Sequence, residues 1–290
     1  MRDIIRESPK RLSYAWSNNV EARESSSMGH EQNADDPCPG IAAATLILFS
    51  ETQGQPARHL MIQRSPEMRF APNALVFPGG RVDEDDHRIA NDPALVDVSL
   101  EDLLERAHRV AAIREMLEEV GILVGALPSD SLNPGAMQAS LKAGNPFSVV
   151  LSQAVGRLDL SVIVPWAKWH PRFQSHRRFD TRFYIARHHG DHSVTVDEDE
   201  VGHARWVLAE EAIADAEAGA AKIIFPTLCN LERLAAFPAF DAAAAHLATI
   251  ALEPISPQLH DDEHGERWIS IPEDRGYPIA RRPLSTLQAP

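Results

Sequence analysis

Residues 114–122 read R-E-M-L-E-E-V-G-I, and no other stretch restricts the chain so strongly. Arg114, Glu115, Glu118 and Glu119 stand within six positions, and Gly121 then ends the run. On a helix turning about 100° per residue, the three glutamates fall within a wedge roughly 100° wide. Neighbours at i,i+3 and i,i+4 lie only about 5–6 Å apart, so their charges repel. Such crowding is reasonable against something strongly positive, and a hard divalent cation with oxygen ligands is the obvious partner. On the same helix, Val110, Ile113, Leu117 and Val120 are spaced as a core-facing stripe. That stripe centres opposite Glu115, so the carboxylate wedge is expected to point away from this core contact.

The remaining elements are read from periodicity and turn chemistry. Residues 1–36 are polar and aperiodic and read as a disordered leader. An apolar run at 40–49 has strand length, and residues 59–63 are its expected hairpin partner. A third short strand at 74–77 ends in Pro78-Gly79-Gly80, where the backbone either turns tightly or approaches something a Cβ would strike. The acidic stretch 83–97 reads as a loop. Ser99 and Asp102 fit the S-x-x-D capping pattern, and one long helix follows to Val120. Residues 160–164 and 178–186 read as strands, 187–192 as a turn, 194–196 as the start of a return strand, and 205–208 as a further strand. Helices are expected at 210–221 and 226–237. A domain over 37–250 and an extended, proline-containing tail over 251–290 complete the plan.

Whole-chain numbers exclude some classes. The 290 residues are 44% hydrophobic, enough to bury a sizeable core. With 42 acidic and 28 basic residues the net charge is −14, so no general attraction to nucleic acid or anionic membrane is expected. Two cysteines, Cys38 and Cys229, are too few for a disulfide framework and suit a reducing cytoplasm. No apolar run approaches the roughly 20 residues of a bilayer span. Cys229 reads as a packed small residue. The cluster His188, His189, Asp191, His192 reads as an exposed hairpin tip in preference to a zinc site. Trp166 and Trp169 could stack on a base or anchor the core.

Phe77-Pro78-Gly79-Gly80 together with residues 114–122 resembles the signature of the Nudix hydrolases, G-x5-E-x7-R-E-U-x-E-E-x-G-U, where U is bulky and apolar. The second half fits at every specified position. The first half is split: Arg114 stands 34 positions after Gly80, an insertion of about 20 residues. For the isolated glutamate of the pattern, Asp86 keeps its offset from Gly80, while Glu105 lies one residue from its expected offset before Arg114. The split box resembles the branch of peroxisomal coenzyme A diphosphatases and their bacterial relatives. So do R-R-F-D-T-R-F-Y at 177–184, E-V-G-H-A-R-W at 200–206 and F-P-T-L-C-N-L-E-R-L at 225–234. The resemblance covers roughly residues 40–240.

That resemblance implies an α/β (α+β) Nudix fold, a mixed β-sheet sandwiched between α-helices. It implies hydrolysis of a diphosphate linkage in a nucleoside diphosphate derivative, with Mg²⁺ or Mn²⁺ as cofactor. Coenzyme A or acyl-coenzyme A is the leading substrate, cut to adenosine 3′,5′-bisphosphate and (acyl-)phosphopantetheine. A pyrophosphatase of ADP-ribose or NADH and a non-catalytic nucleotide-binding module are the rivals. Glu115, Glu118, Glu119 and the Gly79 carbonyl are the implied metal ligands, and Arg114 orients the carboxylates. The general base is Glu115 first and Glu200 second. Arg64, Arg69, Arg178 and Arg182 are candidates for substrate phosphates, because guanidinium matches phosphate bidentately. The expected partner is a small nucleotide substrate, with no nucleic acid and no membrane, and a homodimer is left open.

Overall fold

A strand whose side chains are apolar on both faces must lie between two cores, and residues 41–50 do. The computed structural model describes residues 40–68, 71–98, 102–128, 132–170, 178–190, 192–197 and 199–287. Strand β1 (Ile41–Ser50) sends Ala44, Leu46 and Leu48 into one core and Ile47 and Phe49 into the other, the period-two alternation of an extended chain. After it come β2 (His59–Arg64), β3 (Leu75–Val76), β4 (Gly79–Arg81), α1 (Glu84–Ala90), α2 (Leu103–Val120) and β5 (Ala126–Leu127). Then follow α3 (Pro134–Lys142), α4 (Phe147–Gln153), β6 (Arg157–Leu158), β7 (Val164–Trp169), β8 (Phe179–His188) and β9 (Val201–Val207). The chain continues through α5 (Ala209–Glu217), α6 (Phe225–Ala235), α7 (Phe240–Leu247), β10 (Pro254–Ile255), β11 (Gln258–Asp261), β12 (Arg267–Ser270) and β13 (Arg281–Pro283).

The main sheet is mixed, in the order β10-β7-β8-β1-β4, with β1 parallel to β8 and antiparallel to β4. The first core lies between this sheet and α2, with α3 and α4 beyond; the second is closed by α5, α6 and α7. This is the expected sheet between helices. The stripe on α2 is correct: Val110, Ile113, Leu117 and Val120 are all fully buried. Each such side chain contributes about 1.5–3 kcal/mol. The carboxylates opposite it do not face solvent, because α2 is covered on nearly every side. Glu115 and Glu119 are only 9% and 2% exposed.

Several local expectations are corrected. Strand β2 does not form a hairpin with β1: one bridge joins Ser50 to Arg58, and β2 then enters a separate sheet, β3-β2-β9. Residues 84–90 are helical, not a loop. Glu84, Asp85 and Asp86 occupy the first turn of α1, where the helix dipole favours acidic side chains. Asp102 is itself the N-cap of α2, accepting from the Glu105 N–H at 2.7 Å; Ser99 lies outside the described residues. Residues 160–162 form a 3₁₀ turn, and the strand begins at Val164. Residues 194–196 do not return along β8. They lie over the end of α2, with Thr195 N–H on Val120 O (3.0 Å) and Asp197 N–H on Glu119 O (2.9 Å).

The box insertion folds away from the sheet centre. Leu95 and Val96 are buried, Ser148 donates to the Asp85 carboxylate through its amide (2.8 Å) and its hydroxyl (2.7 Å), and Arg106 donates to Ala90 O (2.7 Å) and Val98 O (2.8 Å). Beyond α7, residues read as a tail without periodicity make a third sheet, β11-β12-β13, of short antiparallel strands. Among the described residues no helix is long and apolar enough to cross a membrane.

Candidate active site

The functional end of α2 is its last turn, and Gly121 ends the helix there with a left-handed φ of 72° and an N–H on Leu117 O at 3.0 Å. A helix C-terminus carries partial negative charge, so placing Glu115, Glu118 and Glu119 in it works against the dipole. Arg114 offsets part of the surplus. Its Nε and Nη2 donate to the two oxygens of Asp86 at 2.9 and 3.0 Å. Its Nη1 lies 2.9 Å from Glu118 Oε2 and 3.0 Å from Glu115 Oε1, and Nη2 also reaches Arg81 O at 2.8 Å. Asp86, fully buried, therefore holds the place beside the guanidinium. Glu105 is elsewhere, engaged by Arg182 and Tyr184.

The two glycines before the helix work by close approach, the second of the alternatives read from sequence. A Cβ on Gly80 would come within 2.4 Å of Glu115 Oε1, and one on Gly79 within 2.4 Å of Ala44 O. Both belong to β4, paired with β1, and the Gly79 N–H donates to Glu119 Oε2 at 2.9 Å. The missing side chains are what let the sheet edge lie against the carboxylates.

Electrostatics mark the same spot. Burial, with repulsion from Glu118 behind it, pushes the Glu115 carboxyl up to about 7 against the pull of Arg114. Burial and then Glu115 hold Glu119 well above the ordinary carboxylate range. Burial also raises Asp86, partly countered by Arg114. The Arg114 guanidinium is held protonated by Glu115 and Asp86 despite its own burial. Glu200, at the exposed rim, is raised by burial and then by Glu118 and Asp197.

Arg114, Glu115, Glu118 and Glu119 line one end of a cavity of about 920 Å³, together with Arg64, Gly79, Gly80 and Glu200. Of the four arginines expected to meet phosphate, the structure brings Arg64 to the wall. Arg182 is not there: Thr181 and Phe183 on β8 face the cavity, so the residue between them faces the other side and pairs with Glu105. Arg178 is not among the lining residues either; its carbonyl accepts the Ile41 N–H at 2.7 Å. Arg69 lies outside the described residues. Trp166 is a core residue donating to Asn230 Oδ1 at 2.8 Å, whereas Trp169 forms cavity wall. Cys229 is buried, as expected. His188 and His192 flank the Trp206 ring at 4.9 and 4.8 Å; Asp191 is outside the described residues.

A hard cation suits this donor set, which is all oxygen, buried and over-supplied with negative charge. As they stand, no three His, Cys, Asp or Glu side chains among the described residues are gathered closely enough to hold one. The reason is visible: Arg114 Nη1 occupies the space between Glu115 and Glu118, and Glu119 is turned to the Gly79 amide.

Sequence reasoning missed the far end of the cavity, where Trp169, Phe183 and Phe225 meet Ile269, Leu284 and Leu287 of the C-terminal sheet and the turn after it. An apolar residue on a short strand carries no motif, so only the fold reveals this wall.

A mixed sheet between helices, with a glycine-lined sheet edge against a carboxylate-bearing helix end, is the Nudix architecture. No family model matches the chain. It is similar to putative nudix hydrolase 7 of Caenorhabditis elegans, with 26% identity over 219 residues, 75% of this chain and 67% of that protein. It is also similar to the crystal structure of a NUDIX hydrolase from Alicyclobacillus acidocaldarius. There the TM-score is 0.63 and the identity 28%, over 74% of this chain and 99% of that one. The fold is the Nudix fold, and these likenesses support a Nudix hydrolase.

Proposed function

We propose that the chain hydrolyses the diphosphate linkage of a nucleoside diphosphate derivative, and that its substrate is coenzyme A or acyl-coenzyme A. The products are adenosine 3′,5′-bisphosphate and (acyl-)phosphopantetheine. The observation that carries the substrate reading is the two-ended cavity: buried carboxylates and Arg64 at one end, aromatic and aliphatic side chains at the other. A diphosphate with an adenine nucleotide on one side and a long, weakly polar arm on the other matches that division. ADP-ribose and NADH are polar at both ends and leave the apolar end unused.

Glu115, Glu118, Glu119 and the Gly79 carbonyl are the groups that would hold Mg²⁺ or Mn²⁺. When bound, such an ion neutralises phosphate oxygens and lowers the pKa of water. The chain's own part is to position and to move protons. Arg114, tied to Asp86 and Arg81 O, fixes the rotamers of Glu115 and Glu118. Arg64 offers a guanidinium to a phosphate oxygen at the rim. Glu115 is the first candidate to take a proton from the attacking water. Glu200 is the second candidate for that role, and Glu200→Gln separates them: it loses kcat with little change in KM if Glu200 is the base and keeps kcat if Glu115 is.

The test is a panel of coenzyme A, acyl-coenzyme A, ADP-ribose, NADH and dinucleoside polyphosphates, with and without Mg²⁺, with product identification. Metal-dependent release of adenosine 3′,5′-bisphosphate from coenzyme A supports the reading. Turnover of ADP-ribose or NADH alone overturns the substrate assignment. A substrate that raises the melting temperature without being cleaved overturns the catalytic one.

A further inference from the structure

Resting on the coenzyme A reading, we infer that the C-terminal sheet and the turn after it form a receptor for an aliphatic chain carried by the substrate, with Leu284 and Leu287 as chain-length determinants. The register places the two ends. Across the main sheet, Arg81 pairs with Ala43, Ala43 with Thr181, and Thr181 with Trp169. Three strand spacings separate the edge of β4, beside the carboxylates, from Trp169, about 14 Å. A ligand with its diphosphate on the carboxylates must extend that far to touch Trp169. Ile269 and the 3₁₀ turn with Leu284 and Leu287 complete the wall there.

The chemistry of that end selects an alkyl chain over a nucleobase. A bound base needs parallel faces to stack on and partners for its edges. The rings here stand at right angles: Trp169 meets Phe225 at 89° and Tyr277 at 82°. The Trp169 indole N–H is already spent on Tyr277 OH at 3.1 Å, and that hydroxyl on Asn230 Oδ1 at 3.0 Å. Two threonines, Thr181 and Thr227, bring hydroxyls to this region of the wall; the other side chains named are apolar. An aliphatic chain asks only for burial, at about 0.8 kcal/mol per methylene, up to about fourfold in affinity for each one enclosed.

The experiment measures kcat/KM for coenzyme A and a ladder of saturated acyl thioesters with Mg²⁺. In parallel, without Mg²⁺, it measures displacement of a fluorescent fatty-acid probe by alkyl phosphates of increasing length. Both series should climb with chain length, by up to about fourfold per methylene, and then level off. Leu284→Asp should flatten both, costing the longest chain about tenfold more than free coenzyme A. If Leu284→Asp does not fold, Leu284→Ala and Leu287→Ala must shift the length at which the climb stops. Cleavage of coenzyme A with no chain-length dependence, and a probe signal indifferent to these variants, overturns the inference and leaves the substrate reading intact. A length-dependent probe signal lost in Leu284→Asp, with no thioester cleaved, retains the alkyl receptor and discards coenzyme A.

Discussion

Two polar clusters lie deep in this molecule and are resolved in opposite ways. On the second core, Trp166 and Tyr277 both donate to Asn230 Oδ1, Asn230 Nδ2 donates to Pro226 O at 2.9 Å, and Trp169 closes on the Tyr277 hydroxyl. The one cation there, Arg233, lies 3.8 Å over the Trp166 ring and donates to Trp166 O at 3.0 Å. That cluster adds no negative charge, although Arg233 Nε and Nη2 are buried without a hydrogen-bond partner. At the end of α2, one guanidinium faces Asp86, Glu115 and Glu118, with Glu119 buried beside them. A cluster left with surplus charge in a low-dielectric place costs stability unless something else binds, and such imbalance marks a site.

The largest effect should come from removing the counter-charge. Arg114→Met leaves the buried Asp86 and Glu115 without their partner, and breaking a buried pair this way costs about 3–5 kcal/mol. Urea denaturation at neutral pH measures it; a loss under 1 kcal/mol would mean the cluster is far better solvated than its burial indicates. Next is Glu119→Gln. It should lower kcat by about a hundredfold to a thousandfold, as loss of a charge-stabilising group does, and weaken Mg²⁺ binding in calorimetry. The metal-free protein should melt at the same temperature or slightly higher, since the amide can still accept from Gly79 N–H and removes a repelled charge. Wild-type turnover in this variant contradicts the ligand assignment.

How much of this was legible beforehand follows from how local each feature is. The box end of α2 could be read because a helix brings residues three and four apart together whatever surrounds it. The burial of its carboxylates could not, because it depends on Gly79 and Gly80 arriving from another strand. Asp86 fitted the spacing from Gly80 and Glu105 lay one residue off the spacing to Arg114, and the fork of Arg114 selects Asp86. The helix α1 was hidden because an acidic first turn looks like a solvated loop until the dipole behind it is known. Arg182 looked like a phosphate ligand by composition, but alternation along β8 turns it away from Thr181 and Phe183. The alkyl-lined end was least legible of all: Trp169, Phe225, Ile269 and Leu284 are scattered over more than 100 positions and share no motif.

A third buried polar group tests whether satisfied and surplus sites differ in solution. His59 is buried, its Nδ1 on Leu48 O at 2.9 Å and its ring edge-on to Phe49 at 4.6 Å. Burial lowers its pKa from 6.5 to about 4 despite that hydrogen bond. Below pH 6.5 the unfolded chain takes up a proton that the folded chain refuses, so stability falls as pH drops from 6.5 towards 4, by about 3 kcal/mol. Glu115 has the opposite sign: its raised pKa means metal-free stability is lost as pH rises from 4.5 through about 7. When denaturation is followed across pH in chelator, the two slopes oppose each other between pH 4.5 and 6.5, and saturating Mg²⁺ should remove the second and uncover the first. An acid slope that survives His59→Asn assigns the effect elsewhere.

The smallest effect on the carboxylate end of α2 belongs to the Asn230 cluster. Asn230→Leu keeps the volume but strips the acceptor from Trp166 Nε1 and Tyr277 OH, two donors with no water beside them to turn to. Leaving both unpaired costs about 2–6 kcal/mol, at about 1–3 kcal/mol each. Stability should drop by that amount at every pH, with Mg²⁺ affinity and the pH slope of metal-free protein unchanged, because no charge has been altered. A change in Mg²⁺ affinity on Asn230→Leu would show that the two clusters are coupled through the sheet and that the contrast drawn between them is false.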